Sequence, residues 1–329
     1  MIELRGISKR FAGRVDLADR MARWVRPPVH DATVHALDCV SLQVREREVV
    51  GLVGESGCGK STLGRIVSRI LEPTEGEILW KGRPYRELEG GAHRAERLAV
   101  QMIFQDPYAS LNPRMRVADL VGEAPVAHGI VPARERDDYV SEMLARVGLD
   151  RAAMRRFPHQ FSGGQRSRIG IARALAVKPH FLVCDEAVAA LDVSIQAQVL
   201  NLFIRLREEL ALTYLFISHD LGVIRHLSDR VIVMYLGRIV ETGPTSEVYA
   251  KPNHPYTAAL IAEVPRIEAR HRAYVPIRGE IPSPLAPPTG CHFHPRCPHA
   301  FAHCREEVPP LREIAPGRHS ACHLNETRT

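Results

Sequence analysis

Val49-Val-Gly-Leu-Val-Gly-Glu-Ser-Gly-Cys-Gly-Lys-Ser-Thr62 decides how this chain is read. Val49–Val53 is apolar throughout, which marks a strand covered on both faces. Gly54 and Gly59 then enclose four residues and lead into Lys60-Ser61. That spacing lets successive backbone N–H groups turn inward around phosphate oxygens, with the positive end of the next helix behind them. The helix is expected over Thr62–Leu71, stopping at Pro73 and Gly76. Lys60 is expected to neutralise the β- and γ-phosphates of a nucleotide, and the Ser61 hydroxyl to ligate Mg²⁺. A chance glycine-rich turn is the competing reading, and the flanking strand and helix outweigh it.

Working outward, Val34–Val44 reads as another strand, and strand patterns return at Phe181–Cys184, Tyr214–Ile217 and Val231–Tyr235. Residues 106–179 are polar and helix-like, broken by Pro113, Pro125, Pro132 and Pro158, which predicts a helical insertion. Ile195, Val199, Leu202, Leu206 and Leu210 share one helix face, with Ser194 as the expected cap. Strands alternating with helices predict a mostly parallel sheet covered on both faces. Beyond about Pro252, prolines, histidines and four of the seven cysteines crowd into a small, loop-rich appendage.

The chemistry continues along the chain. Phe181-Leu-Val-Cys-Asp-Glu186 is an apolar strand ending in two carboxylates. Asp185 is expected to hold Mg²⁺ through water and Glu186 to polarise the attacking water. An Asp-Glu pair after a strand is common in ordinary turns, and its weight comes from the phosphate loop.

Phe161-Ser-Gly-Gly-Gln165 narrows the class: the chain resembles the ABC (ATP-binding cassette) ATPases, whose signature is Leu-Ser-Gly-Gly-Gln. The resemblance implies an α/β P-loop ATPase core with a mostly parallel sheet, an antiparallel β subdomain and a helical subdomain. It also implies roles. Gly54, Glu55, Ser56, Gly57, Cys58, Gly59, Lys60, Ser61 and Thr62 bind ATP, and Phe11 stacks on adenine, with ordinary packing as the alternative for Phe11 and Trp24. Gln105 touches Mg²⁺ and water, together with Ser61 and Asp185; Glu186 and His219 complete hydrolysis. Ser162, Gly163, Gly164 and Gln165 reach the ATP of a partner subunit, and Asp192 is the D-loop aspartate. Taken alone, His219 reads as a hydrogen-bonded structural histidine. Ala187 and Ala189 depart from the proline and serine usual there, and Ala187 predicts a looser turn at Glu186 and lower turnover.

A narrower resemblance covers nearly the whole chain. Phe104–Arg114, Asn253–Thr257 and Gly279–Pro284 with Gly290-Cys291 are similar to the ATPases of oligopeptide, dipeptide and nickel importers, the F-type subunit in particular. This implies a nucleotide-binding domain over 1–250, with its helical part at about 106–179, and a C-terminal extension over 251–329. It implies an ATP-hydrolysing importer subunit, bound to two permease subunits, a second ATPase (a heterodimer) and an extracytoplasmic solute-binding protein. The expected place is the cytoplasmic face of the bacterial inner membrane: no apolar run is long enough to cross a bilayer, and charges occupy Met1–Phe11. The alternatives are a soluble ABC ATPase uncoupled from transport, and an importer of nickel or another non-peptide solute.

Cys291, Cys297, Cys304 and Cys322 offer four thiolates in a segment without an apolar core. Tetrahedral Zn²⁺ and an iron–sulfur cluster both suit them, with nearby histidines as further zinc ligands and four unligated thiols as the plain alternative. The resemblance implies a 4Fe-4S cluster of structural role. The formal charge of +6 is scattered and almost all arginine, the lysines being Lys9, Lys60, Lys81, Lys178 and Lys251, so nucleic acid is not an expected partner.

Overall fold

Two sheets organise residues 1–12, 33–88, 93–263 and 279–326, which the computed structural model describes. Strands β1 (Ile2–Ala12), β2 (Thr33–Val44), β4 (Glu75–Trp80) and β5 (Arg83–Pro84) form an antiparallel sheet in the order β2-β1-β4-β5. The larger sheet takes β3 (Val49–Val53), β6 (Val100–Ile103), β7 (Phe181–Asp185), β8 (Thr213–Ile217), β9 (Arg230–Tyr235), β10 (Arg238–Pro244), β11 (Arg312–Ala315) and β12 (Arg318–Ser320). Its order is β11-β12-β10-β9-β3-β8-β7-β6, with β9 to β6 running parallel. The central strands β3, β7 and β8 are buried at every position, as their unbroken apolar runs require.

Helix α1 (Lys60–Val67) follows the glycine loop. It ends before the expected Leu71, because Ser68 Oγ donates back to the Gly64 carbonyl at 2.9 Å and Arg69 takes a φ of 62°. Helices α2 (Val117–Ala127), α3 (Arg136–Arg146) and α4 (Gly163–Leu175) build the expected helical insertion. Helix α5 (Val193–Leu210) buries Val199, Leu202 and Leu206. Its cap is Asp192, not the expected Ser194: the first helical bond runs from the Gln196 N–H to the Asp192 carbonyl, which places Ser194 inside the first turn. Then come α6 (Leu221–Leu227), α7 (Thr245–Ala250), α8 (Pro255–Ala262) and the short α9 (His303–Glu306).

The apolar residues gather on the two faces of the large sheet. One cluster joins the antiparallel sheet, α1 and one sheet face through Ile2, Leu4, Val40, Leu63 and Ile66; the other joins the helical insertion, α5 and the opposite face through Val121, Leu144, Ile169, Val199 and Phe203. Each large apolar side chain buried there contributes about 1.5–3 kcal/mol.

The C-terminal segment is built into this frame. Strand β12 pairs antiparallel with β10, so the tail extends the large sheet. Glu241, fully buried on β10, accepts from the Asn253 and His254 amides at 3.0 and 2.9 Å and from Arg318 Nη2 at 3.1 Å. Tyr235, Tyr256 and Phe293 pack together, with ring centroids 4.7–5.3 Å apart.

His254 caps α8 by accepting from the Tyr256 amide, and burial drives its pKa down to about 3. The sign follows: above about 6.5 the ring is neutral in both states, and below that only the unfolded chain takes up a proton. Stability is therefore lost as pH falls from about 6.5 toward 3. Between pH 7.5 and 5 the expected loss from this residue is about 2 kcal/mol. Denaturant titration of His254→Asn, which keeps a cap acceptor, should be less steep with pH by that amount; an equal pH dependence would exclude His254 as the source.

Candidate functional site

The main chain of the loop after β3 makes a cradle that only glycine allows. Gly54 has a φ of 152°, and a Cβ there would lie 2.2 Å from the Met234 carbonyl oxygen; Gly59 has a φ of 105°, with the Ala36 carbonyl oxygen 2.3 Å from its would-be Cβ. Lys60, only 5% exposed, starts α1 and donates from Nζ to the Gly54 and Glu55 carbonyls at 2.8 and 2.9 Å. Its ammonium is thereby held at the mouth of the loop. Cys58 is buried below it, and burial pushes its thiol pKa up, so it serves as packing there and not as a nucleophile.

A cavity of about 620 Å³ opens over the cradle and takes in Ser56, Gly57, Gly59, Lys60, Ser61, Thr62, Gln105, Glu186 and His219. Phe11, Val34, Ala36 and Pro284 line it as well. The P-loop, the glutamine, the second carboxylate and the histidine, far apart in the chain, thus meet at one opening. Phe11, 39% exposed, presents its ring to the same opening, with Lys9 Nζ 5.3 Å from the ring centre. Trp24 lies outside the described residues.

At the ends of the parallel strands the carboxylates are poised differently. Ser61 Oγ donates to Asp185 Oδ1 at 2.9 Å. Burial raises the Asp185 pKa, and the neighbouring Glu186 charge adds to that against the Ser61 hydrogen bond. A hydroxyl and a carboxylate oxygen side by side next to a phosphate cradle are hard donors of the kind Mg²⁺ takes beside water and phosphate, so the donor set fits the ion. Glu186 has a φ of 49°, which aims its side chain out of the strand direction. Its amide donates to the Ile217 carbonyl and its carbonyl accepts from Ala189, both at 3.0 Å. Gln105 Nε2 donates to Glu186 Oε2 at 2.7 Å, and His219 Nδ1 lies 3.2 Å from Glu186 Oε1.

Ser162–Gln165 stands apart. Ser162 caps α4, accepting from the Gln165 amide at 3.4 Å, while Gln165 Oε1 accepts from the Ser162 amide at 3.1 Å. Ser162, Gly163 and Gln165 are exposed and none of the four lines the cavity. Gly164 is pressed against Ile195 of α5, where a Cβ would lie 2.3 Å from the Ile195 Cγ2. Asp192 is exposed beside Val193, whose side chain is 82% exposed.

Sequence reasoning missed what the C-terminal segment does here. Glu55 faces away from the cavity: Arg296 Nη1 and Nη2 bind its carboxylate at 2.7 and 2.9 Å, and its amide donates to Tyr256 Oη at 2.9 Å. The Pro284 carbonyl accepts from the His35 amide at 2.9 Å, which brings Pro284 to the cavity wall. The extension thus contacts the loop from behind and the opening from the side. The one signal within reach was the sequence Gly279–Pro284, read only as a resemblance.

Comparison with known proteins bears on this geometry. Residues 37–189 match the ABC transporter family profile, and residues 240–304 match the profile of the oligopeptide/dipeptide transporter C-terminal region. The oligopeptide transport ATP-binding protein AppF of Bacillus subtilis is 49% identical over 98% of this chain and 97% of its own length. The dipeptide transport ATP-binding protein DppF of Haemophilus influenzae is 47% identical over 88% of this chain and 89% of its own. Among solved structures, a dimeric post-hydrolysis state of the ATP-binding cassette MJ0796 with ADP and Pi matches with a TM-score of 0.62 and 27% identity, covering 74% of this chain and 99% of that one.

Proposed function

We propose, from the premise that this chain belongs to the ABC transporter ATPases and within them to the oligopeptide/dipeptide branch, that it hydrolyses ATP to drive import of peptides or peptide-like solutes. The observation that carries the reading is the convergence of Lys60, Ser61, Gln105, Glu186 and His219 on one cavity, with Ser162–Gln165 facing elsewhere.

In that arrangement the P-loop amides and Lys60 bind the phosphates, and Phe11 offers a face for adenine. Ser61 and Asp185 would hold Mg²⁺, and the ion would supply positive charge against the β- and γ-phosphates. Glu186 accepts a hydrogen bond from the attacking water and polarises it, while Gln105 and His219 keep its carboxylate aimed. His219 would also meet the γ-phosphate, as the family resemblance implies.

A second cassette completes the site. Ser162–Gln165 do not line this chain's own cavity, and Asp192 and Val193 are exposed at the start of α5, whose Ile195 packs on Gly164. A facing subunit's cradle would receive them and cover Val193, so ATP is sandwiched between chains and its loss reopens the pair. Permease subunits and an extracytoplasmic binding protein complete the importer, with the ATPase docked peripherally on the cytoplasmic side. Among the described residues no helix is long and apolar enough to cross a membrane. A different chain is proposed as the second ATPase, on the F-type resemblance.

We infer further that the four C-terminal thiols carry a 4Fe-4S cluster. All four are free of disulfides and partly or fully buried. Burial raises the Cys291 and Cys322 thiols to about 11, and Cys297 and Cys304 push both in the same direction. The choice of an iron–sulfur cluster over Zn²⁺ rests on the resemblance of this tail to those of the dipeptide-importer ATPases. Bound there, the cluster would cross-link four points of a segment that lacks a core.

Two measurements test these readings. ATP turnover of the complex with its permease should rise when peptide-loaded binding protein is added; turnover indifferent to it would return the soluble-ATPase alternative. Anaerobically purified chain should carry iron and acid-labile sulfide in equal amounts, about four of each per chain; zinc alone, or neither, would remove the cluster.

A further inference from the structure

The apolar part of the cavity is assembled from distant stretches of chain. Phe11 of β1 is paired with Val34 of β2 across the antiparallel ladder, and Ala36 follows along the same strand. Strand β2 is an outer strand of its sheet, so the main-chain groups on its free edge need partners from elsewhere. The amide of His35, between Val34 and Ala36, finds one in the Pro284 carbonyl at 2.9 Å. The C-terminal extension is thereby laid against the edge of β2 at the residues that line the cavity.

The anchor is made by main chain, and the turn around it is closed locally. Ser283 Oγ accepts from the Leu285 amide at 3.2 Å, and the Ser283 carbonyl accepts from the Ala286 amide at 3.1 Å. These bonds bracket Pro284 and leave its half-buried ring with no hydrogen-bonding duty. That ring lines the same cavity as the phosphate cradle, together with Phe11, Val34 and Ala36.

The lining thus divides by chemistry. Ser56, Lys60, Ser61 and Thr62 offer side-chain donors to a phosphate, whereas the side chains of Phe11, Val34, Ala36 and Pro284 can neither donate nor accept. A nucleoside triphosphate divides in the same way, into charged phosphates and a base with flat, poorly hydrated faces. With the phosphates on the cradle amides and Lys60, the base gains by leaving water for the apolar group.

We propose that Pro284 is a base-contact residue: its ring forms part of the wall on which the purine packs, which makes the C-terminal extension a component of the nucleotide site. This rests on the reading of the cavity as an ATP site and adds the extension's share of the binding. Phe11 supplies an aromatic face and Pro284 an aliphatic one. The proline side chain has almost no rotamer freedom to lose, so packing a base on it costs little entropy. Linkage makes the contact reciprocal, and bound nucleotide should tighten the docking of the extension on β2.

Photolabelling reads the contact directly. The complex with its permease is irradiated with 2-azido-ATP, whose reactive group sits on the purine, and the peptides of this chain are mapped by mass spectrometry. Label should appear in the peptide carrying Pro284 as well as near Phe11, and excess ATP should suppress both. Pro284→Ala keeps the carbonyl that anchors the turn and removes the ring. In the full chain it should raise Kd for ATP about fivefold, with the melting temperature of the nucleotide-free chain unchanged. Label confined to the N-terminal strands, unchanged affinity in Pro284→Ala, or weaker binding that comes with a lower nucleotide-free melting temperature would each overturn the proposal. A complex in which this chain takes no ATP-suppressible label anywhere would remove the nucleotide reading as well.

Discussion

Glu186→Gln is expected to bind ATP as the unaltered chain does and to hydrolyse it about 10²–10⁴-fold more slowly. The amide has the shape of the carboxylate and its oxygen can still accept from Gln105 Nε2, so the hydrogen bond at 2.7 Å survives. What it lacks is the negative charge that draws a proton from the attacking water. The loss should therefore appear in kcat, with KM for ATP within about threefold, because no phosphate-binding amide is touched. Fluorescent-nucleotide binding and single-turnover hydrolysis separate the two quantities. Retention of more than about a tenth of the wild-type kcat would remove Glu186 from the chemistry, and His219 would be the next group to examine.

The backbone at Glu186 bears on Ala187. Left-handed backbone at a non-glycine residue costs of order 1 kcal/mol and persists only when its surroundings enforce it. Here the enforcement comes from the Ile217 and Ala189 bonds on either side of Glu186. Ala187 is buried at 7% exposure within that turn. The aim of Glu186 thus rests on main-chain bonds that a proline ring at 187 does not supply.

Much of this was legible in the sequence, for a physical reason. Val49–Val53, Gly54–Ser61 and Ser162–Gln165 act through spacing along the backbone: an unbroken apolar run, amides that turn inward, a helix start. Such local rules can be read without knowing what lies opposite. The run Phe181–Cys184 extended one residue further, to Asp185, because a strand ladder and not polarity ends the strand. What could not be read were contacts whose partners are far apart along the chain. Nothing near Arg296 announces Glu55, 241 residues away, and nothing near Ser320 announces its pairing with Glu241. The proline-rich composition predicts a segment without a large core of its own, but composition does not tell where such a segment docks.

That docking supplies the second large effect. Removing the Glu55 carboxylate, as in Glu55→Ala, should cost about 3–5 kcal/mol in the attachment of the C-terminal extension. The Arg296 side chain is 4% exposed, and without Glu55 its guanidinium loses both short carboxylate contacts. A buried cation deprived of its counter-charge is what makes the loss large; the pair itself need not be strongly stabilising. An asymmetry follows. Glu55→Leu combined with Arg296→Met, which removes both charges and keeps the volume, should recover most of the loss, whereas either change alone should not. Because the Glu55 main chain belongs to the phosphate loop, the single variants should also raise KM for ATP several-fold while kcat at saturation changes little, the pattern of a loop that must be re-ordered before it binds. Thermal melts and limited proteolysis of the extension, run beside the ATP titration, read both effects. If Glu55→Ala melts and binds ATP as the unaltered chain does, the extension is not mechanically joined to the phosphate loop; if it melts early yet binds ATP normally, the join stabilises the fold without positioning the loop.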